Sequence, residues 1–331
     1  MKTLNLNKLC SFCSATVVAL TISVTSMQSV AETLRLSTPV PPSHIFSKVS
    51  TKFAEDLSIR TNGDLNIKVF PFGKLGSDPE NTLMIQTGAI QFAIIPAAFM
   101  ANREESLNAW LLPGLFDDVA AAGAATQFST AKGMLAELDK QGMVGLGYVF
   151  AGMRHLLSVD PISDMKEIKD KKIRTFPGPI FNDWWLTFGA APTALPTPEI
   201  APALTTNLLD IVDVDLDLVT ALKLYQQAPN LAITNHMAFP AIMVVSKKWW
   251  ESKTAEQQAV IRDVFAEAEA WGIKAQVMAE ENNLQMLKDA GVAITNIDKN
   301  SYADNTAEVL NKYLNKAPLI SEFYGQVKAQ K

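Results

Sequence analysis

The chain has 331 residues, of which 48% are hydrophobic and 19% are charged, and its formal net charge is −5 at pH 7. This composition is ordinary for a globular protein that folds as one large domain or two medium ones. The acidic balance argues against a nucleic-acid partner, because domains that bind phosphate backbones are usually basic.

The first 31 residues have the pattern of a secretory signal peptide. Lys2 and Lys8 give a basic start, Thr16 to Val24 form an apolar stretch, and Ser29 to Ala31 supply the small residues that signal peptidase reads. The apolar stretch is shorter than the roughly 20 residues that a bilayer span needs, which disfavours a membrane anchor. We predict cleavage after Ala31 and export to the periplasm.

Cleavage at this site removes both cysteines, Cys10 and Cys13, so the mature chain has no thiol and forms no disulfide. It also removes two of the 29 basic residues, which leaves 27 against 34 acidic ones and a net charge of about −7. We expect the mature protein to be a monomer.

The mature chain alternates between the hydrophobic periods of strands and helices. Thr33 to Ser37 predict a strand, and His44 to Thr61 predict an amphipathic helix that Gly63 ends. The pattern then continues with strands in DLNIKVFP, FAII, MVGLGYVF, KKIRT, LLDIVDVD, AIMVVS and VAITNI, and with helices in TLMIQTG and from about Val119 to Gln141. This βαβ order predicts largely parallel sheets with helices on both faces.

One predicted helix is much longer than the others. It follows the strand AIMVVS, opens with a capping box of Thr254 and Gln257, and ends at Gly291. At about 1.5 Å per residue, its 35 or so residues span roughly 50 Å. A helix of this length can bridge two lobes.

Motifs of enzymatic chemistry are missing from the sequence. It has no P-loop, no G-x-S-x-G elbow and no G-x-G-x-x-G, and its three histidines share no local motif. The acidic run from Asp210 to Asp217 alternates with apolar residues, which favours a strand with one polar face over a cation site. We therefore predict a non-enzymatic protein without a metal or cofactor.

Two arginines remain as candidates for ligand binding. Arg154 follows the strand GLGYVFAGM, and Arg174 ends the strand KKI. Ligand clefts in α/β proteins form beyond the carboxyl ends of strands. A guanidinium presents two parallel N–H donors that suit a carboxylate, although a surface salt bridge is the alternative role for each arginine.

The mature chain resembles the periplasmic solute receptors of TRAP transporters, the DctP-like family. The resemblance rests on four stretches in order: TNGDLNIKVFPFGKLGSD, GMRHLLSVDPISDMKEIKDKKIRT, FGAAPTALPTPEIAPALTTNLLD and LYQQAPNLAITNHMAFPAIMVVSKKWW. They cover nearly all of residues 33 to 250, and the long helix follows where the family has one.

The resemblance implies a two-lobed periplasmic-binding-protein fold of the α/β class. Each lobe is expected to have a mostly parallel sheet flanked by helices, and the long helix bridges the lobes. After the signal peptide (residues 1–31), lobe I is expected at 32–150 with a return at about 239–275. Lobe II is expected at 151–238 with a return at about 276–331.

The resemblance also assigns roles to the two arginines. Arg174 matches the family arginine that pairs with the substrate carboxylate, and Arg154 matches a second arginine that many members aim at the ligand. Gly178, in the loop TFPGP, is expected to let the backbone approach the ligand. Phe176 and Trp185 give the surroundings of Arg174 an aromatic character.

The chain departs from the sialic-acid receptors of the family at several positions. Val214, beside the candidate site residue Asp213, stands where those receptors use an asparagine. Pro96 and Phe99 replace an acid and an arginine, and Thr197 replaces an aromatic residue. Sialic acid is therefore disfavoured, because its hydroxyls would lose polar partners.

The expected ligand is an organic acid, which the membrane subunits of a TRAP transporter would receive. A monocarboxylate with an apolar or aromatic body is the leading class. A C4-dicarboxylate is the second, because Arg154 and Arg174 could bind one carboxylate each. A periplasmic sensor or an ABC-type binding protein is the alternative with the same fold.

Overall fold

The structure is a computed structural model that describes residues 32–330, so the predicted signal peptide and both cysteines lie outside the described residues. Within this range the strands form two separate sheets. They are β1 (Glu32–Ser37), β2 (Leu65–Phe70), β3 (Phe92–Pro96), β4 (Met143–Met153), β5 (His155–Ser158), β6 (Lys172–Thr175), β7 (Ala191–Ala194), β8 (Ile211–Val214), β9 (Asn230–Ile233), β10 (Ala238–Ser246) and β11 (Ala293–Asn296).

Helices connect most of these strands and cover the sheets. They are α1 (Ile45–Arg60), α2 (Asp78–Thr87), α3 (Ala97–Met100), α4 (Val119–Ala124), α5 (Ser129–Glu137), α6 (Pro179–Thr187), α7 (Ile200–Thr205), α8 (Leu216–Leu222), α9 (Lys247–Trp250), α10 (Ala255–Asp289), α11 (Ala303–Tyr313) and α12 (Pro318–Lys328). None of these helices within residues 32–330 combines the length and the apolar character that a membrane crossing requires.

Each sheet has all but one of its strands running in the same direction. The first sheet has the order β2-β1-β3-β10-β4, and only β10 runs against its neighbours. The second has the order β11-β9-β5-β8-β6-β7, and only β5 is reversed. The predicted α/β class with mostly parallel sheets is therefore confirmed.

The chain passes between the sheets at three places. It leaves the first sheet between β4 and β5, at Arg154, and returns between β9 and β10, at Thr234 to Met237. The backbone N–H of Arg154 donates to the carbonyl of Met237 at 2.8 Å, which ties these two crossings together. The third passage is α10, which leads to β11. The lobe boundaries given above stay a prediction.

The long helix α10 has the ends that its sequence predicts. The side chain of Thr254 accepts from the N–H of Gln257 at 3.3 Å, and the Gln257 side chain accepts from the N–H of Thr254 at 3.1 Å, which completes the capping box. Gly291 lies just beyond the helix at φ +80°, a conformation that favours glycine. The helix has 35 residues, as expected.

Helix α10 approaches α1 closely at one glycine. Val49 and Phe53 of α1 are fully buried, and Phe53 meets Phe265 of α10 edge to face with ring centres 5.5 Å apart. At Gly272 a Cβ would lie only 2.6 Å from Cγ2 of Val49. The absence of a side chain at this position therefore sets the distance between the two helices.

Candidate ligand-binding site

A cavity of about 480 Å³ lies between elements that belong to the two sheets. The first sheet contributes the segment before α1, the loop before α2, and the β3–α3 junction. The second contributes the ends of β6 and β7 and the start of α8. The lining includes Pro39, Val40, His44, Phe46, Gly73, Gly76, Ser77, Asp78, Pro79, Glu80, Pro96, Phe99, Arg174, Phe176, Pro177, Ala194, Leu195, Pro196, Thr197, Pro198, Glu199, Asp215, Leu218 and Phe239.

Arg174 reaches this cavity from β6 and is only 1% exposed. Its Nε donates to the carbonyl of Leu195 at 3.0 Å, and its Nη1 lies 3.4 Å from the carbonyl of Asp213. Its guanidinium carbon lies 4.1 Å from the ring centre of Phe176. These contacts fix the plane of the guanidinium with neutral groups.

No carboxylate among residues 32–330 forms an ion pair with Arg174. Burial lowers the pKa of Arg174 below its usual range, and the positive charge of Arg154 adds to this effect, while Asp213 and Asp215 oppose it. The direction of this shift reflects the cost of keeping a charge buried away from water. An anion that entered the cavity would compensate the charge, and a carboxylate matches the fork of its donors.

Arg154 has the opposite arrangement. Its Nε donates to Asp213 Oδ1 at 2.7 Å, its Nη1 donates to Asp215 Oδ2 at 2.9 Å, and its Nη2 donates to the carbonyl of Asp213. Burial by itself raises the pKa of Asp213, but the charges of Arg154 and His236 outweigh it and hold that pKa at about 2. Arg154 is thus a compensated charge, and it does not line the cavity.

The structure brings four of the eight predicted site residues together on the cavity wall: Arg174, Phe176, Phe99 and Thr197. The other four, Arg154, Trp185, Val214 and Asp213, are fully buried and do not line it.

The predicted site residues that do not line the cavity pack inside the protein. Trp185 packs edge to face on His236 with ring centres 5.1 Å apart, and Trp184 is equally buried. Val214 pairs with His155 across β5 and β8. Neither tryptophan of the pair lines the cavity, and both are fully buried.

Gly178 lies in close contact with α3. A Cβ at this position would lie 2.7 Å from the carbonyl oxygen of Ala98, so the missing side chain lets the loop before α6 approach α3, while Phe176 and Pro177 of the same loop line the cavity. Asn102 Nδ2 donates to the carbonyl of Pro177 beside this approach. The loop and the β3–α3 region are therefore in direct contact at one rim of the cavity. That Gly178 lets the backbone approach a ligand stays a prediction.

Asp78 is a cavity residue that the sequence analysis missed. It is the first residue of α2, and its Oδ1 is buried without a hydrogen-bond partner among the described residues. Burial raises the pKa of Asp78 to about 7, and the nearby charge of Arg174 opposes that rise. The sequence signal was present in GSDPE, where Ser77 and Pro79 mark a helix start and place Asp78 in its first turn.

Most of the remaining wall is apolar. Four phenylalanines contribute to it, and Phe176 and Phe239 pack together with ring centres 4.3 Å apart. The cavity therefore combines the guanidinium of Arg174, which has no ion-pair partner, the buried carboxyls of Asp78 and Asp215, and aromatic walls. No group of three or more His, Cys, Asp or Glu side chains in the described part of the chain is arranged to hold a metal ion.

Two mostly parallel sheets, flanked by helices and with a ligand-sized cavity between them, are typical of solute-binding proteins. The comparison with protein families agrees: residues 36–317 match the model of the bacterial extracellular solute-binding protein family 7, and the chain belongs to that family. As a member of this family it is an extracellular solute-binding protein, a transport component and not an enzyme.

Individual relatives are distant but cover most of the chain. A solute-binding protein of Sulfitobacter sp. strain NAS-14.1 is 29% identical over 281 residues, 84% of each chain. The 2,3-diketo-L-gulonate-binding periplasmic protein YiaO of Escherichia coli K12 is 27% identical over 265 residues, 79% of each chain. A TRAP solute-binding protein of Xanthobacter autotrophicus Py2, solved with β-D-galacturonate, has the same fold. Its TM-score is 0.85 at 24% identity, with 89% of this chain and 99% of that chain covered.

Proposed function

We propose that this protein binds an organic monocarboxylate with an apolar or aromatic body and delivers it to the membrane subunits of a TRAP transporter. The observation that carries the proposal is the state of Arg174, a buried guanidinium on the cavity wall without an ion-pair partner. A buried charge is tolerated when it is paired, and the ligand would supply the partner.

The position of Arg174 supports a carboxylate rather than a halide or another compact anion. Leu195 holds Nε, and Phe176 stacks on the guanidinium face, so the plane of the group is fixed. A fixed planar fork favours an anion with two oxygens in one plane, because both hydrogen bonds then form at once.

The contacts of Arg154 support one carboxylate rather than two. All three of its guanidinium nitrogens donate to oxygens of Asp213 and Asp215. In this proposal, Arg154 and Asp213 position the ends of β5 and β8 behind the cavity. To bind a second carboxylate, Arg154 would have to break its buried ion pairs with Asp213 and Asp215. Breaking buried pairs costs more free energy than the new contact would provide.

The aromatic lining supports an apolar ligand body. Phe99, Phe176, Phe46 and Phe239 offer contact surface but no hydrogen bonds to ligand hydroxyls. Apolar surface that leaves water stabilises a complex by about 25 cal/mol per Å², whereas a buried hydroxyl without a partner costs about 1–3 kcal/mol. Sugar acids, such as those in the names of the E. coli and Xanthobacter relatives, are the competing class.

The test is a thermal-shift screen of small organic acids followed by calorimetry on those that raise the melting temperature. We expect phenylacetate and 4-methylpentanoate to bind more tightly than galacturonate or succinate. If galacturonate binds more tightly than every aromatic or branched monocarboxylate, the proposed ligand class is wrong. If no acid in the screen raises the melting temperature or binds in calorimetry, the proposal that the ligand is an organic acid fails.

A further inference from the structure

The start of α1 is capped by the carboxylate of Asp217, which lies in α8, the helix that follows β8 of the second sheet. The backbone N–H of Ile45, the first residue of α1, donates to Asp217 Oδ2 at 2.6 Å across a separation of 172 residues. The first four N–H groups of a helix have no intrahelical partners, and a side chain close in sequence usually accepts from one of them. Here Ile45 follows β1 of the first sheet, and Asp217 follows β8 of the second. The cap therefore joins elements that belong to different sheets.

A second contact of the same kind lies beside the first. Nδ1 of His44 accepts from the N–H of Phe46 at 3.2 Å, so Nε2 carries the ring proton and donates to Asp215 Oδ1 at 3.3 Å. Asp215 is held in place from its own side by Arg154 Nη1 at 2.9 Å and by the N–H of Leu218 at 2.7 Å. The start of α1 thus docks on a rigid acceptor.

Both contacts are buried, and both adjoin the ligand cavity. The exposures of His44, Asp215 and Asp217 are 1%, 2% and 5%. His44 and Phe46 line the cavity from one side, and Asp215 lines it from the other. A carboxylate at a helix start gains from its charge and from the helix dipole.

We propose that Asp217 is a positioning residue, whose cap on α1 across the cavity favours the arrangement in which the two walls meet. The inference rests on the proposed receptor function, in which the walls separate to admit the ligand. Asp217 acts through the position of His44 and Phe46, because it does not itself line the cavity. The pair of Asp217 and Ile45 is lost when the walls separate, and water then solvates both groups.

The experiment compares Asp217→Ala and Asp217→Asn with wild type in the absence of any ligand. The readouts are hydrogen exchange at the Ile45 amide and the radius of gyration from small-angle X-ray scattering. For Asp217→Ala we expect exchange about fivefold faster, as typical for a lost cap, and a larger radius. Asparagine keeps an acceptor oxygen but not the charge. The exchange rate and the radius of Asp217→Asn are therefore expected to lie between those of wild type and Asp217→Ala, and to differ from wild type in both.

Asp56→Ala is the matched control. Asp56 also lies on α1, but its partner is Lys52 on the same helix, at 2.8 Å. Its loss is expected to change neither readout. A folded Asp217→Ala protein with wild-type exchange at Ile45, or with the wild-type radius, would overturn the proposal. If the alanine variant does not fold, wild-type values for Asp217→Asn overturn it instead. Because neither readout needs a ligand, a failed acid screen contradicts the proposed function without touching this result.

Discussion

The two buried arginines, Arg154 and Arg174, differ in charge compensation because their hydrogen-bond partners differ. Arg154 is paired with Asp213 and Asp215, whereas Arg174 meets two carbonyls and an aromatic ring. Sequence reasoning singled out both residues, because each follows or ends a strand. It could not separate them, since the carboxylates that neutralise Arg154 lie about 60 residues further along the chain.

The first prediction concerns ligand affinity at Arg174. In Arg174→Ala a bound carboxylate would be buried without its partner, at a cost of roughly 3–5 kcal/mol, or at least about a hundredfold in affinity. Arg174→Lys keeps the charge but loses the planar fork, so its affinity is also expected to fall. Calorimetric titration with an acid from the screen measures both effects, and melting curves verify folding.

Arg60→Ala is the control for this prediction. Arg60 pairs with Glu267 at 3.0 Å, and both side chains are about half exposed. An exposed pair of this kind contributes less than about 1 kcal/mol, so binding is expected to stay normal. Wild-type affinity in a folded Arg174→Ala protein would remove Arg174 as the ligand anchor.

The second prediction concerns the pH dependence of stability at Asp78. Its pKa is raised to about 7 by burial, with Arg174 opposing, whereas a carboxyl in the unfolded chain titrates near 4. Between these values the folded protein holds a proton that the unfolded chain has lost, so the stability that Asp78 contributes falls as the pH rises from about 4 to about 7. Asparagine stays neutral, and Asp78→Asn is therefore expected to raise the melting temperature at pH 8 but hardly at pH 4.5.

Glu80→Gln serves as the control with the opposite sign. Glu80 lies in the same helical turn, and the hydrogen bonds from the N–H and hydroxyl of Ser77 lower its pKa. Its stabilising contribution is present above the unfolded pKa, so Glu80→Gln is expected to lower the melting temperature at pH 8. If Asp78→Asn changes the melting temperature equally at pH 8 and at pH 4.5, the pKa of Asp78 is not raised in the folded protein.

At the scale of elements, periodicity and caps were enough to predict the two longest helices, α1 and α10, and most strands, whereas α11 and α12 were missed. The amphipathic pattern of α1 and the caps of α10 are local signals, and both helices lie where the sequence places them. The short strands β5, β7 and β9 were missed. Each has only four residues, and β7 contains a proline at a sheet edge, so the sheet and not local propensity creates them.

The third prediction tests the close approach of α1 and α10. Glycine inside a helix is usually less stable than alanine by roughly 0.5–1 kcal/mol. At Gly272, however, a Cβ would lie 2.6 Å from Cγ2 of Val49, a stiff branched side chain. We expect Gly272→Ala to destabilise the protein by about 1–3 kcal/mol in denaturant unfolding, as overpacking does.

Gly325 provides the comparison within the same protein. It lies inside α12, and a Cβ there would meet no atom within 4 Å. Gly325→Ala is expected to stabilise by roughly 0.5–1 kcal/mol, the intrinsic helix preference. Equal effects at both glycines would show that Val49 yields easily and that the packing argument is wrong.

At the scale of the whole molecule, the two sheets are joined by crossings at Arg154 and at Thr234 to Met237 and by α10. The crossings are short and hydrogen-bonded to each other through Arg154 and Met237. Such paired connections are suited to a hinge, because few backbone angles need to change for the sheets to move apart.

The fourth prediction is that an organic acid makes the protein more compact. A ligand that pairs with Arg174 favours the arrangement in which both cavity walls touch it, and closure excludes water from the pair. Small-angle X-ray scattering with and without the acid measures the change in radius. An unchanged radius at saturating ligand would argue against hinge closure, even if the affinity is high.

The sequence by itself determined the class of the fold, its longest helices and the two arginines worth testing. These features depend on local periodicity, on caps and on residue chemistry, which a chain displays without its tertiary neighbours. Only the tertiary structure decided that Arg154 is neutralised while Arg174 is not, that Asp78 faces the cavity, and that Asp217 caps a helix 172 residues away. Charge compensation and burial are properties of three-dimensional neighbours, and those neighbours come from distant parts of the chain.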